Sequence, residues 1–347
     1  MARSASSQPV ATLGQAAGWL EAERANLHAA ASTTQALRLY RELGDRTGQA
    51  AALTMIGLQH FATDDYPAAA AELRQALELF RGLGHRRGQG DALNVLGQVL
   101  RSTGDYPAAA ACLRQALELC RATGYRTGQA YALKSLGAVQ QLTGDCPAAA
   151  ATLQQALALG RDLGDRFQQA MVLVELAAVQ RLTGEYRSAA ASSQQAIELC
   201  RNPRDLRERA YAFNELGLVQ QLTGDYPAAA ASHQQALQLN HDVGDLFGQA
   251  ETLNCLGELA SRTADSRQAR DHHAQALAIA HQLGTPAEEA RALEGIGCSH
   301  LRDGHPSEAT ASLEQALAIY QHIAAPAARR VQETLTQLRQ GNLAPER

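Results

Sequence analysis

From Asp45 to Ala324 every landmark in the chain recurs after 40 residues without a slipped position, so that seven copies follow one another. Residues 85–124 read HRRGQGDALNVLGQVLRSTGDYPAAAACLRQALELCRATG, and residues 125–164 read YRTGQAYALKSLGAVQQLTGDCPAAAATLQQALALGRDLG. A period of this length marks an array of supersecondary units, each too small to bury its own apolar face. The seven or eight leucine-class side chains in a copy cannot offset the entropy of ordering its backbone. Stacking of neighbours has to supply the difference, so the chain is expected to form one elongated solenoid that folds as a one-dimensional cooperative array.

Within copy 85–124, Leu93, Leu96, Val99 and Leu100 recur at helical spacing. Gly104-Asp105 then ends that helix and caps the next, and Pro107 sits in the new first turn, where its missing N–H is harmless. Ala109, Leu113, Ala116, Leu117 and Leu119 carry the second apolar stripe. Each copy is thus predicted to be an antiparallel helix pair, A at about 87–102 and B at about 107–122. Glycine inside a helix costs about 1 kcal/mol against alanine, yet Gly57, Gly97, Gly137, Gly217, Gly257 and Gly297 share one phase of helix A. Helix B is expected to cross there with no room for a Cβ. The uniformly small Ala69, Ala109 and Ala149, and Ala76, Ala116 and Ala156, stand opposite.

Leu96-Gly97, Gly104, Tyr106, Ala109, Leu113 and Ala116, repeated over about 45–324, resemble the tetratricopeptide repeat (TPR). The resemblance implies an all-α, right-handed α-solenoid of helix-turn-helix repeats with the A helices on its concave side. It also implies a protein- or peptide-binding scaffold or sensor module. The copies depart from the usual pattern in length, in lacking the proline that ends helix B, and in carrying Gln140, Gln180 and Gln220 where an aromatic is usual. The long form, with turns such as LGDRTGQA and LTGDYPAA, resembles the C-terminal repeat region of actinobacterial STAND-type signalling ATPases and antibiotic-regulatory activators. That implies the repeat region of a bacterial signalling or transcriptional regulator. The alternatives are a free-standing adaptor that assembles through its ends and a small-molecule-binding or catalytic TPR protein.

Residues 1–8 are expected to be disordered, 9–44 to form an N-terminal capping helix pair holding Trp19, 325–340 a C-terminal capping helix, and 341–347 a tail. On the last helix Ala327, Val331, Leu335 and Leu338 make one stripe, with Arg329, Arg330, Glu333 and Arg339 off it. Copy 165–204 is irregular, with Ala177 for the helix A glycine and Arg187 for the proline. Copy 245–284 has TADSRQA in place of TGDYPAA. Aromatics are 4% of the chain, so the core is expected to be alanine and leucine. A net charge of -4 gives no reason to expect a nucleic-acid partner, and the absence of a long apolar run argues against a membrane partner. With no apolar leader in MARSASSQPVATLG, a cytoplasmic protein with reduced thiols is expected.

No chemistry-bearing motif stands out. Lys134 is the chain's single lysine and lies in ALKSLG, so no phosphate-binding GxxxxGK[ST] loop exists. GxSxG and HExxH are absent, and neither catalytic residues nor a cofactor is expected. His233 and His273 share one phase of helix B, as do His241 and His281, but no HxxxH pair suits a metal; all four are expected on a solvated ridge. Arginines 41, 81, 121, 161 and 201 close successive B helices, where cations complement helix C-termini.

If the A helices line the concave groove, as the resemblance implies, its walls hold Asp91, Asn94, Gln98 and Arg101, then Tyr131, Lys134 and Gln141. Met171, Val174 and Arg181 follow, then Tyr211, Asn214 and Gln221, then Glu251, Asn254 and Glu258. The family's carboxylate clamp is missing, since Ala138 stands where its asparagine would follow Lys134. Asn94, Asn214 and Asn254 recur in one phase and are expected to bond the backbone of an extended segment across 85–284, flanked by Tyr131 and Tyr211. Charge runs along the axis: residues 85–204 hold 13 basic and 9 acidic residues, +4, and residues 205–324 hold 7 and 16, -9. A bound segment is therefore expected to turn its acidic part to Arg101 and Lys134, and its basic part to Glu251 and Glu258.

Overall fold

A computed structural model describes residues 32–202, 205–323 and 325–340. The expectations for 1–8, for the first helix of the N-terminal pair with Trp19, and for the tail 341–347 lie outside the described residues. Helix α1 covers residues 32–42. Seven helix pairs follow, one per copy. The A helices are α2 (Arg46–Ala62), α4 (Arg86–Ser102), α6 (Arg126–Leu142), α8 (Arg166–Leu182), α10 (Leu206–Leu222), α12 (Leu246–Arg262) and α14 (Pro286–Arg302). The B helices are α3 (Tyr66–Gly82), α5 (Tyr106–Ala122), α7 (Cys146–Asp162), α9 (Tyr186–Leu199), α11 (Tyr226–Asp242), α13 (Ser266–Leu283) and α15 (Pro306–His322). The C-terminal helix is α16 (Ala327–Arg339). No strand occurs among the described residues.

The turns form as their residues dictate. Gly104 takes φ +83°, and the Asp105 carboxylate accepts the Ala108 N–H at 3.2 Å. Copies one and six put Asp64 (φ 60°) and Ala264 (φ 63°) at the same left-handed position, which side chains disfavour. At the far end Val331 and Leu335 of α16 are buried on the last pair, and Arg330 reaches back to Glu294 at 2.8 Å. At the near end Leu37 of α1 packs with Leu53, Ile56 and Ala76.

The helix A glycines do mark a tight crossing. A Cβ on Gly97 would stand 2.6 Å from Leu113 Cγ, and one on Gly57, Gly137 or Gly297 would be within 2.7 Å of Leu73, Leu153 or Leu313. The group that excludes it is thus the helix B leucine, rather than the alanines beside it. That leucine position reads Leu73, Leu113, Leu153, Ser193, His233, His273, Leu313 along the chain. Only copy four tolerates a methyl on helix A, Ala177, and it has the smallest partner, Ser193.

The array does not stay open. Phe61 and Tyr66 of copy one share an apolar cluster with Leu246, Phe247 and Leu283 of copy six. Gly104 of copy two faces Ile323 and Pro286 of copy seven so closely that a Cβ there would lie 2.9 and 3.2 Å from them. Copies one and two thus pack against copies six and seven, and the concave side becomes a half-open chamber.

Candidate binding chamber

The chamber has a volume of about 360 Å³ and is lined from all seven copies. Of the residues expected along the groove, Gln98, Arg101, Lys134 and Gln141 line it on one side, and Val174, Tyr211, Asn214 and Glu251 continue around it. Met171, singled out with them, lines it too. Asp91, Asn94, Tyr131, Arg181, Gln221, Asn254 and Glu258 are not part of its wall. They lie in the seams between repeats.

The seams explain the recurring asparagines. Asn94 is buried and its amide donates to the Gly128 carbonyl of the next copy at 3.2 Å. Asn254, fully buried, donates to the Glu288 carbonyl at 3.1 Å and to the Glu288 carboxylate at 2.9 Å. Arg181 forks onto Glu215 at 2.9 and 3.2 Å, and Tyr211 donates to Asp245 at 3.0 Å. Each of these links joins one A helix to the next, 34 residues on. The expected hydrogen bonds from Asn94 and Asn254 to a bound segment are therefore taken up inside the protein. Glu258 is likewise held by Arg291 at 2.7 Å, which keeps its carboxyl below the ordinary range against the opposing effect of burial. The Tyr131 hydroxyl is pushed up by burial and by nearby Asp165, away from the chamber.

His233 and His273 correct the solvated-ridge expectation: both are 0% exposed. They fill the leucine position at the crossing, each against a helix A glycine, Gly217 and Gly257. His233 Nδ1 lies 2.8 Å from Asn214 Oδ1, and His273 Nδ1 lies 3.0 Å from Asn254 Oδ1. Because the Asn254 amide nitrogen is spent on Glu288, its oxygen must face His273, which places the proton on Nδ1. Both Nε2 atoms are left buried and unpartnered. Burial, the largest cause, lowers each imidazole to about 4, so both are neutral at physiological pH. His241 and His281, by contrast, are exposed. Among the described residues no group of three His, Cys, Asp or Glu side chains is placed to hold a metal.

Charge is unevenly spread around the chamber. Seven carboxylates line it, from Asp64, Glu175, Glu208, Glu215, Asp245, Glu251 and Glu288, against three cations, Arg101, Lys134 and Arg207. Arg207 holds fully buried Asp245 at 2.7 Å. Asp64 accepts the Tyr66 hydroxyl at 2.9 Å and the Phe247 backbone N–H across the closure; burial nevertheless pushes its carboxyl up. Arg101 bridges loosely to Glu175, 3.6 Å away on copy four. Lys134 is only 5% exposed, and burial lowers its ammonium pKa with Glu175 opposing. Glu251 is raised to about 8, first by burial and then by Glu288.

Sequence reasoning missed the residues of the closure: Asp64, Tyr66, Arg207, Asp245 and Phe247. Asp64 had one legible signal, an aspartate where five of the other six copies have glycine. A contact across six repeats leaves no periodic trace.

The tetratricopeptide repeat family profile matches residues 88–162, 128–202, 206–281 and 248–322. No match was found among curated proteins. Among solved structures the chain is similar to the Rap conjugation gene regulator of the plasmid pLS20 in complex with the Phr* peptide. That similarity has 14% identity, 83% of this chain and 77% of that one covered, and TM-score 0.66. It is also similar to a Rap protein complexed with competence and sporulation factor, at 12% identity, 84% and 76% coverage and TM-score 0.64. Aspartyl phosphate phosphatase F from Bacillus subtilis is a third, at 11% identity, 82% and 74% coverage and TM-score 0.59. At these identities the likeness is one of fold.

Proposed function

Because the chain belongs to the tetratricopeptide repeat family, we propose that it is a non-catalytic binding module that receives a short peptide or protein segment in its concave chamber. The observation that carries this reading is the convergence of A helices from all seven copies on one space, lined by apolar and charged side chains together. The Rap structures solved with the Phr* peptide and with competence and sporulation factor support it at the level of fold. The resemblance of its long repeats to regulator tails supports reading the module as the repeat region of a bacterial signalling or transcriptional regulator, for which we propose a cytoplasmic location. The chamber holds only about 360 Å³, which supports a short bound segment over an extended one running across 85–284. No nucleic acid, membrane or cofactor enters this reading, and self-association through the solenoid ends is not required by it.

Peptide phage display on the full chain tests it. Val174 lines the chamber, and Val174→Trp should fill it without touching the repeat seams. Peptides enriched on the wild-type chain should lose at least tenfold in affinity for V174W, with helicity by circular dichroism unchanged. Peptides that bind both chains equally would place the binding surface elsewhere.

A further inference from the structure

The loops that lead from each B helix into the next A helix share one rim of the array. Along copies one to four that rim carries a double row of arginines. Arg41, Arg81, Arg121 and Arg161 lie in the last turns of α1, α3, α5 and α7. Arg46, Arg86, Arg126 and Arg166 take the first positions of α2, α4, α6 and α8. All eight are exposed. The same positions read His241 and Leu246, then His281 and Pro286, where copies six and seven begin. Side chains tie neighbouring loops into one surface. The Arg87 guanidinium lies 4.0 Å from the centre of the Tyr125 ring one loop on, and Arg126 reaches Asp162 of the following loop at 2.9 Å.

Stability accounts for only one of the two rows. A cation in the last turn of a helix complements its dipole, but a cation in the first turn opposes it. No acidic residue stands in the first turn of α2, α4, α6 or α8. Of the eight arginines, Arg81 holds Glu78 and Arg126 holds Asp162, both in exposed pairs; the others have no hydrogen bond or ion pair among the described residues. The remaining acids of these loops do not balance them. Asp45 and Asp165 accept the Gly48 and Gln168 N–H groups at 2.9 and 3.0 Å, and Glu42 is left. The same loops expose leucines in one phase, Leu43 at 78%, Leu83 at 39% and Leu163 at 36%, whereas Leu283 and Ile323 in that phase are buried. None of these arginines or leucines lines the chamber.

Aliphatic side chains among arginines offer nothing to a phosphate backbone. Leu83 and Leu163 lie in the surface rather than projecting from it, as insertion into a bilayer would need. Both features suit a protein segment that alternates carboxylates with apolar side chains, and its carboxylates would offset the cost of a cation at each helix start. We propose that the rim of copies one to four docks an acidic amphipathic segment of a partner protein, with its carboxylates on the arginines and its apolar side chains on Leu43, Leu83 and Leu163.

Fluorescence anisotropy on the full chain tests it. The probes are a labelled amphipathic peptide of glutamate and leucine, its lysine-for-glutamate and serine-for-leucine versions, and a labelled DNA duplex. Vesicles of phosphatidylserine and phosphatidylcholine are tested by co-sedimentation. The glutamate–leucine peptide should bind at least tenfold more tightly than the lysine version, at least threefold more tightly than the serine version, and more tightly than the duplex, and the chain should not sediment with vesicles. Arg81→Glu, Arg121→Glu and Arg161→Glu together should weaken the peptide at least tenfold. Should that variant lose helicity, Arg86→Gln with Arg166→Gln removes only cations that oppose a helix dipole and should still weaken it at least threefold. V174W should leave it unchanged. No binding of the peptide, equal binding of its lysine or serine version, tighter binding of the duplex, co-sedimentation with vesicles, or unchanged affinity in the folded rim variants overturns the proposal. Loss of peptide binding in V174W would put the peptide in the chamber and overturn it as well.

Discussion

Copies two and three differ from copies five and six in what fills one and the same crossing. In the first pair Leu113 and Leu153 press on Gly97 and Gly137 in a wholly apolar contact. In the second pair His233 and His273 press on Gly217 and Gly257, tied to Asn214 and Asn254. The backbones are the same 17-residue A helices. The repeat therefore fixes a shape at the crossing, and the chemistry within that shape is free to vary. Polar filling has a consequence that apolar filling lacks, because it makes folding depend on protonation.

The largest effect expected from this contrast appears in acid. Each histidine titrates at about 4 in the folded chain and near 6.5 when unfolded. A depressed base binds fewer protons folded than unfolded, so its stabilisation is intact above about pH 6.5 and is lost as pH falls towards 4. The loss should reach about 3 kcal/mol for each histidine. His233→Leu with His273→Leu installs the filling of copies two and three. The amide oxygens of Asn214 and Asn254 then lose a donor at every pH, so the quantity to read is the slope. Urea melts from pH 7 to pH 4.5 should show the double variant losing markedly less stability than the parent. Parallel slopes would mean that the two regions do not differ in this way.

Next in size is the apolar crossing itself. Gly97→Leu overpacks a site where even a Cβ meets Leu113 at 2.6 Å, and thermal melts should show a loss of roughly 1–3 kcal/mol. An unchanged midpoint would show the crossing to be looser than its geometry. Copy four sharpens the point, because Ala177 and Ser193 exchange volume between the two helices. Ser193→Leu alone should destabilise, and adding Ala177→Gly should recover the loss. The coupling in that double-mutant cycle should be about 0.5–3 kcal/mol; additive effects would separate the two positions.

The smallest expected effect compares two left-handed turns. Ala264→Gly removes a disfavoured backbone at φ 63° and should stabilise by about 1 kcal/mol. Asp64→Gly, at φ 60°, should not gain, because the Asp64 carboxylate is buried and accepts the Tyr66 hydroxyl and the Phe247 N–H. Equal gains at both would mean that Asp64 contributes nothing to the closure.

These contrasts also mark what the sequence could reveal. Helix pairs, turns and the glycine crossing were legible because each is a local pattern that recurs along the array, and the C-terminal helix because it carries an apolar stripe of its own. The predicted A helix at about 87–102 is Arg86–Ser102, and the predicted B helix at about 107–122 is Tyr106–Ala122. Phase also placed Lys134, Arg101, Tyr211 and Glu251 among the inward-facing residues. It could not tell wall from seam: Asn94 and Asn214 share a phase, yet only Asn214 lines the chamber. It misjudged His233 and His273 because a histidine in a leucine position reads as a polar substitution, and only its asparagine partner, 19 residues earlier, makes burial tolerable. The closure was illegible for a different reason. Each repeat contributes a small rotation, and whether seven rotations bring Phe61 to Phe247 is a sum that no single copy states.

That closure carries the whole account of the chamber, and small-angle X-ray scattering tests it most directly. The parent chain should scatter as a compact ring whose curve the closed coordinates fit. Phe61→Asp with Phe247→Asp puts two carboxylates into the apolar contact between copies one and six. It should raise the radius of gyration to that of an open solenoid while helicity by circular dichroism stays the same. A parent chain that already scatters as an open solenoid, unaltered by the two aspartates, would contradict the closed chamber.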